Sequence, residues 1–271
     1  MSRINCLGVL LALAGLVSSE SAGAQTMQGL GFLPGATYSD SNAKGVSADG
    51  STVVGYSING QGYPEAFVWT AATGVMTGLG YLPNARYAYS VAAGISADGS
   101  TVVGYSYNEE GSTEAFVWTA ATGMMGLGFL PNNALHPYSY ATGVSADGTT
   151  VVGASSNYQG YSEAFVWTAA TGFTALGVLP RNATHHYSYA TGISADGSTV
   201  VGASTNSQGE AEAFVWTAAT GMTGLGFLPN STYPYSLAAG VSADGSTVVG
   251  NSDNNQGAPE AFVWKIGRAH V

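Results

Sequence analysis

One unit of 48 or 49 residues is repeated five times along the chain, and this repeat restricts the possible folds more than any other feature. Each copy carries a Leu-Pro step, then Ser-Ala-Asp-Gly, then Glu-Ala-Phe-Val-Trp. The Glu follows the Asp by 16 residues in every copy, so length variation is confined to the segment after the Pro. The repeated acids are Asp49, Asp98, Asp147, Asp196 and Asp244, followed by Glu65, Glu114, Glu163, Glu212 and Glu260.

Within one unit the residue pattern predicts four short antiparallel strands, which we call A to D. The dipeptide Asp49-Gly50 predicts a tight A–B hairpin, because a type I′ turn needs residues that tolerate positive φ at both central positions. Strand C alternates, with Glu65, Phe67 and Trp69 on one face and Ala66, Val68 and Thr70 on the other. In the first unit the predicted strands are A, ending at 43–47; B, 52–57; C, 65–70; and D, 75–82.

Four antiparallel strands with two apolar faces predict an all-β fold, a five-bladed β-propeller of four-stranded antiparallel blades. The stretch 27–33 matches strand D without A to C before it, and the fifth unit stops after its strand C at Trp264. We therefore expect the N-terminal strand to pair with the fifth unit and close the ring. A β-solenoid is the alternative fold, although its coils are usually shorter and lack tight hairpins.

The composition agrees with a β-rich, turn-rich protein. Only 8% of the residues are charged, 45% are hydrophobic and 39 are Gly. Exposed helices need many charged side chains on their wet faces, so a largely helical fold is excluded. The apolar content also excludes charge-driven disorder. The net charge of −10 would repel nucleic acid and anionic lipid head groups, so neither is expected as a partner.

The N-terminus has the features of an export signal. Arg3 precedes an apolar run at 6–17 that is too short to span a bilayer comfortably, and Ala22-Gly23-Ala24 is an A-x-A cleavage pattern. Residues 1–24 are therefore predicted to be removed, leaving a mature chain that begins at Gln25 and has no membrane span. The only cysteine, Cys6, lies in the removed segment, so the mature chain is expected to have no disulfide and no Cys-bound metal.

The C-terminus departs from the repeat. Four units continue past Trp with Thr-Ala-Ala-Thr-Gly, whereas the fifth continues with 265–271, Lys-Ile-Gly-Arg-Ala-His-Val. This ending resembles the translation of a sequencing-adapter oligonucleotide. We therefore predict a propeller at 25–264 and a non-native tail at 265–271, with a native chain that continues beyond Trp264.

The predicted topology divides the connections between two rims. The A–B and C–D turns hardly vary and share one rim, while the variable B–C and D–A loops share the other, and binding residues tend to lie on loops of a rigid scaffold. Tyrosine is concentrated there, and its large amphipathic ring suits recognition of sugars or proteins. Alternatively, each ring packs on the next blade with its hydroxyl at the rim. The nine candidate ligand-binding residues between Leu-Pro and strand A are Tyr38, Tyr87, Tyr89, Tyr138, Tyr140, Tyr187, Tyr189, Tyr233 and Tyr235.

The repeated acids are predicted to be structural. The five Asp form turns, since Asp-Gly needs no other explanation. The five Glu share a strand face with Phe and Trp. They either accept hydrogen bonds from backbone N–H groups of the adjoining loop or form a repeated cation site, and a buried carboxylate normally needs such N–H partners.

No catalytic arrangement is apparent, so the chain is predicted not to be an enzyme and to need no cofactor or metal. Glycosidases on five-bladed scaffolds place distinct carboxylates in the central pit, where the inner strands here offer Ala, Thr, Ser and Lys44. An adjacent pair, His185 and His186, with His136 one blade away is only a weak metal signal. The acids that break the repeat lie in loops: Asp40, Glu109, Glu110, Glu210 and Asp253.

The three motifs in fixed order resemble the bacterial extracellular HAF-repeat family. Gly-Leu-Gly-x-Leu-Pro, Gly-Val-Ser-Ala-Asp-Gly-Ser-Thr-Val-Val-Gly and Glu-Ala-Phe-Val-Trp-Thr together span 30–264. The family takes its name from His-Ala-Phe, whereas every copy here has Glu in the first place. Its members are exported, some resembling autotransporter passengers and others carrying a C-terminal sorting segment, so the resemblance implies a location rather than a chemistry.

These observations predict a secreted or cell-surface repeat protein. Its function is expected to be non-catalytic binding of an extracellular glycan or protein by the Tyr-rich loops, with carbohydrate preferred. The alternative is a passenger or spacer scaffold of a longer autotransporter-like or surface-sorted protein, and a polysaccharide hydrolase has the least support.

Overall fold

The computed structural model describes residues 27–131, 136–179 and 186–265. These residues form five antiparallel sheets in chain order, and the inner strand of each sheet packs against the inner strand of the next. The predicted all-β, five-bladed propeller is confirmed, and the antiparallel pairing excludes the solenoid. The predicted signal at 1–24 lies outside the described residues, as does the predicted tail except Lys265.

Each of the first four blades has four strands in the order A to D, and the fifth has three. The strands are β1 Ser41–Val46, β2 Thr52–Ile58, β3 Pro64–Thr70 and β4 Val75–Gly78 in blade 1; β5 Ser90–Ile95, β6 Thr101–Tyr107, β7 Thr113–Thr119 and β8 Gly123–Gly128 in blade 2; β9 Ser139–Val144, β10 Thr150–Ser156, β11 Ser162–Thr168 and β12 Gly172–Gly177 in blade 3; β13 Ser188–Ile193, β14 Thr199–Thr205, β15 Ala211–Thr217 and β16 Gly221–Gly224 in blade 4; and β17 Ser236–Val241, β18 Thr247–Asp253 and β19 Pro259–Lys265 in blade 5.

Successive blades pack through opposite faces of strand C, as the alternation predicts. Between the first two blades, Ala66 and Val68 of β3 meet Phe116 and Trp118 of β7. Phe116 is fully buried, and burial of a side chain of this size contributes roughly 1.5–3 kcal/mol. Equivalent clusters fill the next three interfaces. The stacking of blades is therefore a main source of stability, and an isolated unit would lack it.

Strand D is shorter than predicted, because the chain must reach the next blade. β4 ends at Gly78 rather than at residue 82. The following segment crosses over, and the Leu82 N–H donates to the Ser106 hydroxyl oxygen at 3.2 Å while the Leu82 side chain is buried. The same bond joins Leu33 to Ser57, Leu130 to Ser155, Leu179 to Ser204 and Leu228 to Ser252. We call this stretch after strand D the crossing segment.

A second buried serine joins each blade to the one before it. The Ser139 hydroxyl accepts a hydrogen bond from the Ala115 N–H at 2.8 Å and donates to the Gly128 C=O at 2.7 Å. The sequence signal for this contact is the Ser that follows a Tyr at the start of strand A, as in Tyr138-Ser139. The same pair of bonds recurs at Ser90, Ser188 and Ser236.

The A–B turn is tight, but it is not of the predicted type. The Gly50 N–H donates to the Ser47 C=O at 3.0 Å, so Ala48 and Asp49 are the central residues. Gly50 has a φ of 73°, whereas Asp49 is not among the residues with positive φ. The type I′ prediction is therefore wrong, and the geometry is that of a type I turn followed by a left-handed glycine.

The repeated aspartates hold these turns. Asp49 Oδ1 accepts hydrogen bonds from the Ser47 hydroxyl at 2.7 Å and from the Ser51 N–H at 2.9 Å. These bonds favour the carboxylate and lower the pKa of Asp49 to about 2, the Ser47 hydroxyl contributing most. Corresponding serine hydroxyls make the same bond to Asp98, Asp147, Asp196 and Asp244.

The ring is not closed in the predicted way. In the part of the chain that the structure describes, the fifth sheet contains only β17, β18 and β19, and 27–33 form no strand. Leu30 and Leu33 instead pack on Phe67 and Met76 of the first blade. The predicted pairing with the fifth unit is wrong because 30–33 have the sequence of a crossing segment, whose leucines belong to the blade that follows.

We expect Ser139→Ala to destabilise the fold by about 1–3 kcal/mol, because the buried Ala115 N–H loses its acceptor. The midpoint of urea unfolding measures the effect. Ser41→Ala is the matched control, since Ser41 occupies the same position in the first unit and only donates to the Gly31 C=O. Equal losses in the two variants would contradict this role of the serine.

We expect Asp98→Asn to weaken the acid sensitivity of the fold. Hydrogen bonds, mainly from Ser96, lower the pKa of Asp98 from 3.8 to about 2, so its stabilising effect is complete above about pH 4 and is lost as the pH falls through 2. The difference in melting temperature between parent and variant should therefore shrink between pH 5 and pH 2. Glu109→Gln, the same charge change in an exposed loop, is the control, and a pH-independent effect of Asp98→Asn would refute the prediction.

Candidate ligand-binding face

The B–C and D–A loops lie together at one rim, which we call the loop face. The D–A loop that leads into a blade is joined there to the B–C loop of that blade, since the Arg86 N–H donates to the Asn108 C=O at 2.9 Å. The loop face is therefore built from pairs of loops, a D–A loop and the B–C loop that follows it. It comprises the B–C loops 59–63, 108–112, 157–161, 206–210 and 254–258, with the described parts of the D–A loops, 34–40, 83–89, 131, 136–138, 186–187 and 229–235.

The B–C loops share one conformation, which the sequence analysis missed by treating them as variable. The Asn59 side-chain oxygen accepts hydrogen bonds from the N–H groups of Gln61, at 2.9 Å, and Tyr63, at 3.2 Å. Gly62 completes the loop with a φ of 87°. The signal was an Asn followed three residues later by Gly in every unit. Asn108, Asn157, Asn206 and Asn254 make the same pair of bonds.

The repeated glutamate ties the B–C loop to the crossing segment. Glu65 Oε2 accepts from the Asn59 side-chain amide at 2.9 Å, and Oε1 accepts from the Gly80 N–H at 3.1 Å. Of the two alternatives for these residues, hydrogen bonding to a backbone N–H is the one that the contacts show. Glu114 and Glu212 repeat both bonds, whereas within the described residues Glu260 has only the bond from Asn254.

The third unit departs from this arrangement. A Cβ placed on Gly126 would lie 2.1 Å from Glu114 Oε1, so the repeated glutamate position needs glycine opposite it. Blade 3 has Ala175 there. Glu163 instead lines a space of about 330 Å³ together with His186, whose Nδ1 is buried and has no partner among the described residues.

Four of the nine candidate tyrosines form one cluster with two tyrosines that the prediction omitted. The ring of Tyr105 in β6 lies 6.2 Å from that of Tyr89 and 5.0 Å from that of Tyr140. Tyr107 contacts both Tyr87 and Tyr89, at 5.4 and 5.6 Å. Strand B ends at the loop face, so its last residues join the loop tyrosines. The cluster spans blades 2 and 3 and comprises Tyr87, Tyr89, Tyr105, Tyr107, Tyr138 and Tyr140.

The other candidate tyrosines divide into a pair and single residues. Tyr187 and Tyr189 stack at 6.3 Å, beside Tyr235. Tyr38 and Tyr233 are both 71% exposed and have no ring contact among the described residues. Tyr140 and Tyr189 lie in β9 and β13, so the prediction that all nine precede strand A is wrong for these two.

Burial within the clusters raises the pKa of their inner hydroxyls. Burial, with the neighbouring Tyr89 hydroxyl as the next cause, raises the pKa of Tyr105 to about 12. Burial beside Tyr235 raises the pKa of Tyr189 to about 12 as well. Tyr105 and Tyr189 are therefore packed inside the clusters, whereas other tyrosines of the clusters, such as Tyr87, are exposed to solvent.

The exposed edge of the larger cluster forms a pocket of about 480 Å³ between blades 1 and 2. Tyr63 and Tyr87 are each about half exposed, and the Arg86 guanidinium lies 5.5 Å from the centre of the Tyr87 ring. A cation at this distance over an aromatic face is attracted to it and helps to fix the ring. We call this space the Tyr87 pocket, and it is lined by Tyr63, Pro64, Arg86, Tyr87, Ala88, Tyr89 and Tyr107.

The described histidines and the acids that break the repeat do not gather into a shared metal site. His136 is exposed, and His185 lies outside the described residues. Across the described ranges, no three side chains of His, Cys, Asp or Glu are placed to share a metal ion. Of the acids that break the repeat, Asp40, Glu109 and Glu110 are exposed, and Glu210 accepts a hydrogen bond from Asn206. No apolar helix of membrane-crossing length occurs in the part of the chain that the structure describes.

Comparison of the sequence with protein-family models and with curated proteins gives no match. Solved structures resemble the chain through its fold. TolB from Acinetobacter baumannii aligns at 14% identity with a TM-score of 0.54, over 83% of this chain and 52% of that chain. A protein assigned as TolB from Agrobacterium tumefaciens aligns at 16% identity with a TM-score of 0.51, over 83% and 81% of the two chains.

A puromycin-hydrolyzing peptidase from Mycobacterium tuberculosis aligns at 14% identity with a TM-score of 0.51, over 87% of this chain and 37% of that chain. This chain therefore spans about half of the Acinetobacter TolB and about a third of the peptidase. At such identities the likeness concerns the fold alone: the chain is built as a β-propeller similar to those found in these proteins.

Proposed function

We propose that this chain is an exported, non-catalytic binding protein that holds an extracellular carbohydrate in the Tyr87 pocket. The observation that carries the proposal is the set of four tyrosines and one arginine around a single opening between two blades. A volume of about 480 Å³ falls within the range of about 300–1,000 Å³ found for small-ligand sites. Tyr107 lies in β6, and the Tyr63 N–H is bonded to the Asn59 side chain, so these two rings need little ordering on binding.

The chemistry of the lining suits a sugar. The apolar C–H face of a pyranose packs on an aromatic ring, and the hydroxyls of Tyr63 and Tyr87 can donate to or accept from sugar hydroxyls. Arg86 adds a fork of donors fixed by its contact with Tyr87. A ligand that offers one apolar face and a rim of hydroxyls therefore matches this pocket better than an extended apolar peptide does.

The carboxylates support binding rather than hydrolysis. Glycoside hydrolysis uses two carboxyl groups on opposite sides of the scissile bond, and the lining of the Tyr87 pocket contains none. The repeated glutamates of blades 1 and 2, Glu65 and Glu114, accept hydrogen bonds from side-chain amides and backbone N–H groups. These hydrogen bonds hold the B–C loops against the crossing segments.

The proposed location outside the cytoplasm rests on the sequence. Residues 1–24 have the order of an export signal, and the resemblance to the HAF repeats adds the expectation of a secreted or surface-displayed protein. The spacer scaffold is the alternative for the same location. It is favoured by the half-buried tyrosines, such as Tyr138 and Tyr187, which pack against neighbours rather than face solvent.

Binding of the mature chain to an array of bacterial and plant glycans tests the proposal. We expect Tyr87→Ala to weaken binding to any glycan found by at least tenfold, about 1.4 kcal/mol. The variant removes the ring that would pack on the sugar and the aromatic face on which the Arg86 guanidinium lies. Tyr158→Ala is the matched control, since Tyr158 is 74% exposed on the B–C loop of blade 3. It should bind like the parent.

Three outcomes would reject the proposal. An array without signal, from a chain that melts cooperatively, favours the spacer. Equal losses in Tyr87→Ala and Tyr158→Ala place the ligand elsewhere on the loop face. Release of shorter glycans during incubation identifies a hydrolase.

A further inference from the structure

The Tyr87 pocket is lined by one cationic side chain, that of Arg86, and by no acidic one. We propose that the sugar bound there is acidic, a uronate whose carboxylate pairs with the Arg86 guanidinium. This inference rests on the proposed carbohydrate site and names the class of sugar that the site selects.

The arginine is not needed for the shape of its loop. The Arg86 N–H donates to the Asn108 C=O at 2.9 Å. Threonine occupies the same position in the first and fifth units, where the N–H groups of Thr37 and Thr232 make the same bond at 3.4 Å. The backbone of this D–A loop therefore forms with a short side chain, and the guanidinium of Arg86 has no part in building it.

The tyrosine of the site is repeated, whereas the arginine is not. Tyr38 and Tyr233 follow Thr37 and Thr232 as Tyr87 follows Arg86. Both are 71% exposed and lack a ring contact among the described residues. The Tyr87 ring is 52% exposed, since it lies 5.4 Å from the Tyr107 ring and beneath the arginine. The cation is thus added where the exposed ring is also held in place.

The Arg86 side chain is held at the pocket by two contacts. A Cβ added to Gly111 would lie 3.0 Å from Tyr87 Cε2 and 3.1 Å from Arg86 Cδ, so both side chains cross directly over this glycine. The guanidinium then lies 5.5 Å from the centre of the Tyr87 ring. Since these contacts already restrict the side chain, little conformational entropy is lost when the guanidinium pairs with a ligand.

The guanidinium has no acidic partner of its own among the described residues. The sequence has 16 acidic and six basic residues, and Glu109 and Glu110 lie in the B–C loop on which Arg86 packs. Both are exposed and line a separate space of about 490 Å³. The charge of Arg86 is therefore left for a carboxylate that comes from outside the chain.

A uronate offers the groups that this arrangement lacks. Its pyranose ring has an apolar C–H face that packs on an aromatic ring, and its planar carboxylate matches the fork of N–H donors of a guanidinium. Such charge-assisted hydrogen bonds are roughly twice as strong as those that the same donors make to a neutral sugar hydroxyl. The pocket should therefore discriminate between a sugar acid and its uncharged form.

Calorimetric titration of the mature chain with oligogalacturonate, oligoglucuronate and oligomannuronate, each beside its own methyl ester, tests the inference. The ester removes the charge but keeps the ring and its hydroxyls. For the sugar that binds, we expect the acid to bind about fivefold more tightly than the ester, the size of effect that a partly exposed charge pair gives. In Arg86→Gln the two forms should bind alike.

Lys44→Gln is the matched control, because it removes the same charge from an exposed position in β1. It should keep the preference of the parent for the acid. Loss of that preference in Lys44→Gln as well as in Arg86→Gln would show an effect of net charge and overturn the inference.

The results also separate this inference from the carbohydrate site itself. Equal binding of acid and ester by the parent, or a preference that survives in Arg86→Gln, overturns the inference. Binding of neutral glycans alone, lost in Tyr87→Ala, does the same but leaves the carbohydrate site in place. Absence of binding to every acidic and neutral glycan rejects both.

Discussion

Each blade has two apolar faces, and only another blade can cover them. Strand C presents a large face carrying Phe116 and a small face carrying Ala115 and Val117, so the interface pairs unlike surfaces of adjacent units. Burial of such side chains is worth several kcal/mol per interface. Apolar burial alone does not fix how two blades align. The buried serines specify the alignment, because a blade that stacks in the wrong register leaves a buried N–H, such as that of Ala115, without an acceptor.

This constraint is visible in the sequence, which is why the blade could be predicted from it. The invariant offset of 16 residues from Asp to Glu fixes strands B and C, and alternation at Phe67 and Trp69 fixes their faces. The end of strand D was mispredicted because periodicity does not show where an apolar residue leaves its own sheet. Leu82 has the apolar side chain expected of a residue in strand D, yet its N–H donates a hydrogen bond to the Ser106 hydroxyl of the next blade.

The loop face was less predictable, for a similar reason. Tyrosines are easy to count, but their environment depends on partners from another unit. Tyr105 is a strand residue that meets loop and inner-strand tyrosines of two blades. The Asn59 loop was within reach of the sequence, since Asn and Gly recur at fixed spacing. It was missed because the residues between them vary.

The repeat separates the scaffold from the candidate site. Residues present in every unit make contacts that recur in nearly every unit, as Glu65, Asn59 and Ser57 do. The Tyr87 pocket instead combines residues that the other units replace: the position of Tyr63 carries Ser112 in the second unit, and that of Tyr107 carries Thr205 in the fourth. The five B–C loops share one conformation, and among the described residues a half-exposed tyrosine pair, Tyr63 and Tyr87, lies beside Arg86. A ligand bound in the proposed Tyr87 pocket would therefore contact residues that differ between units rather than residues that the repeat keeps.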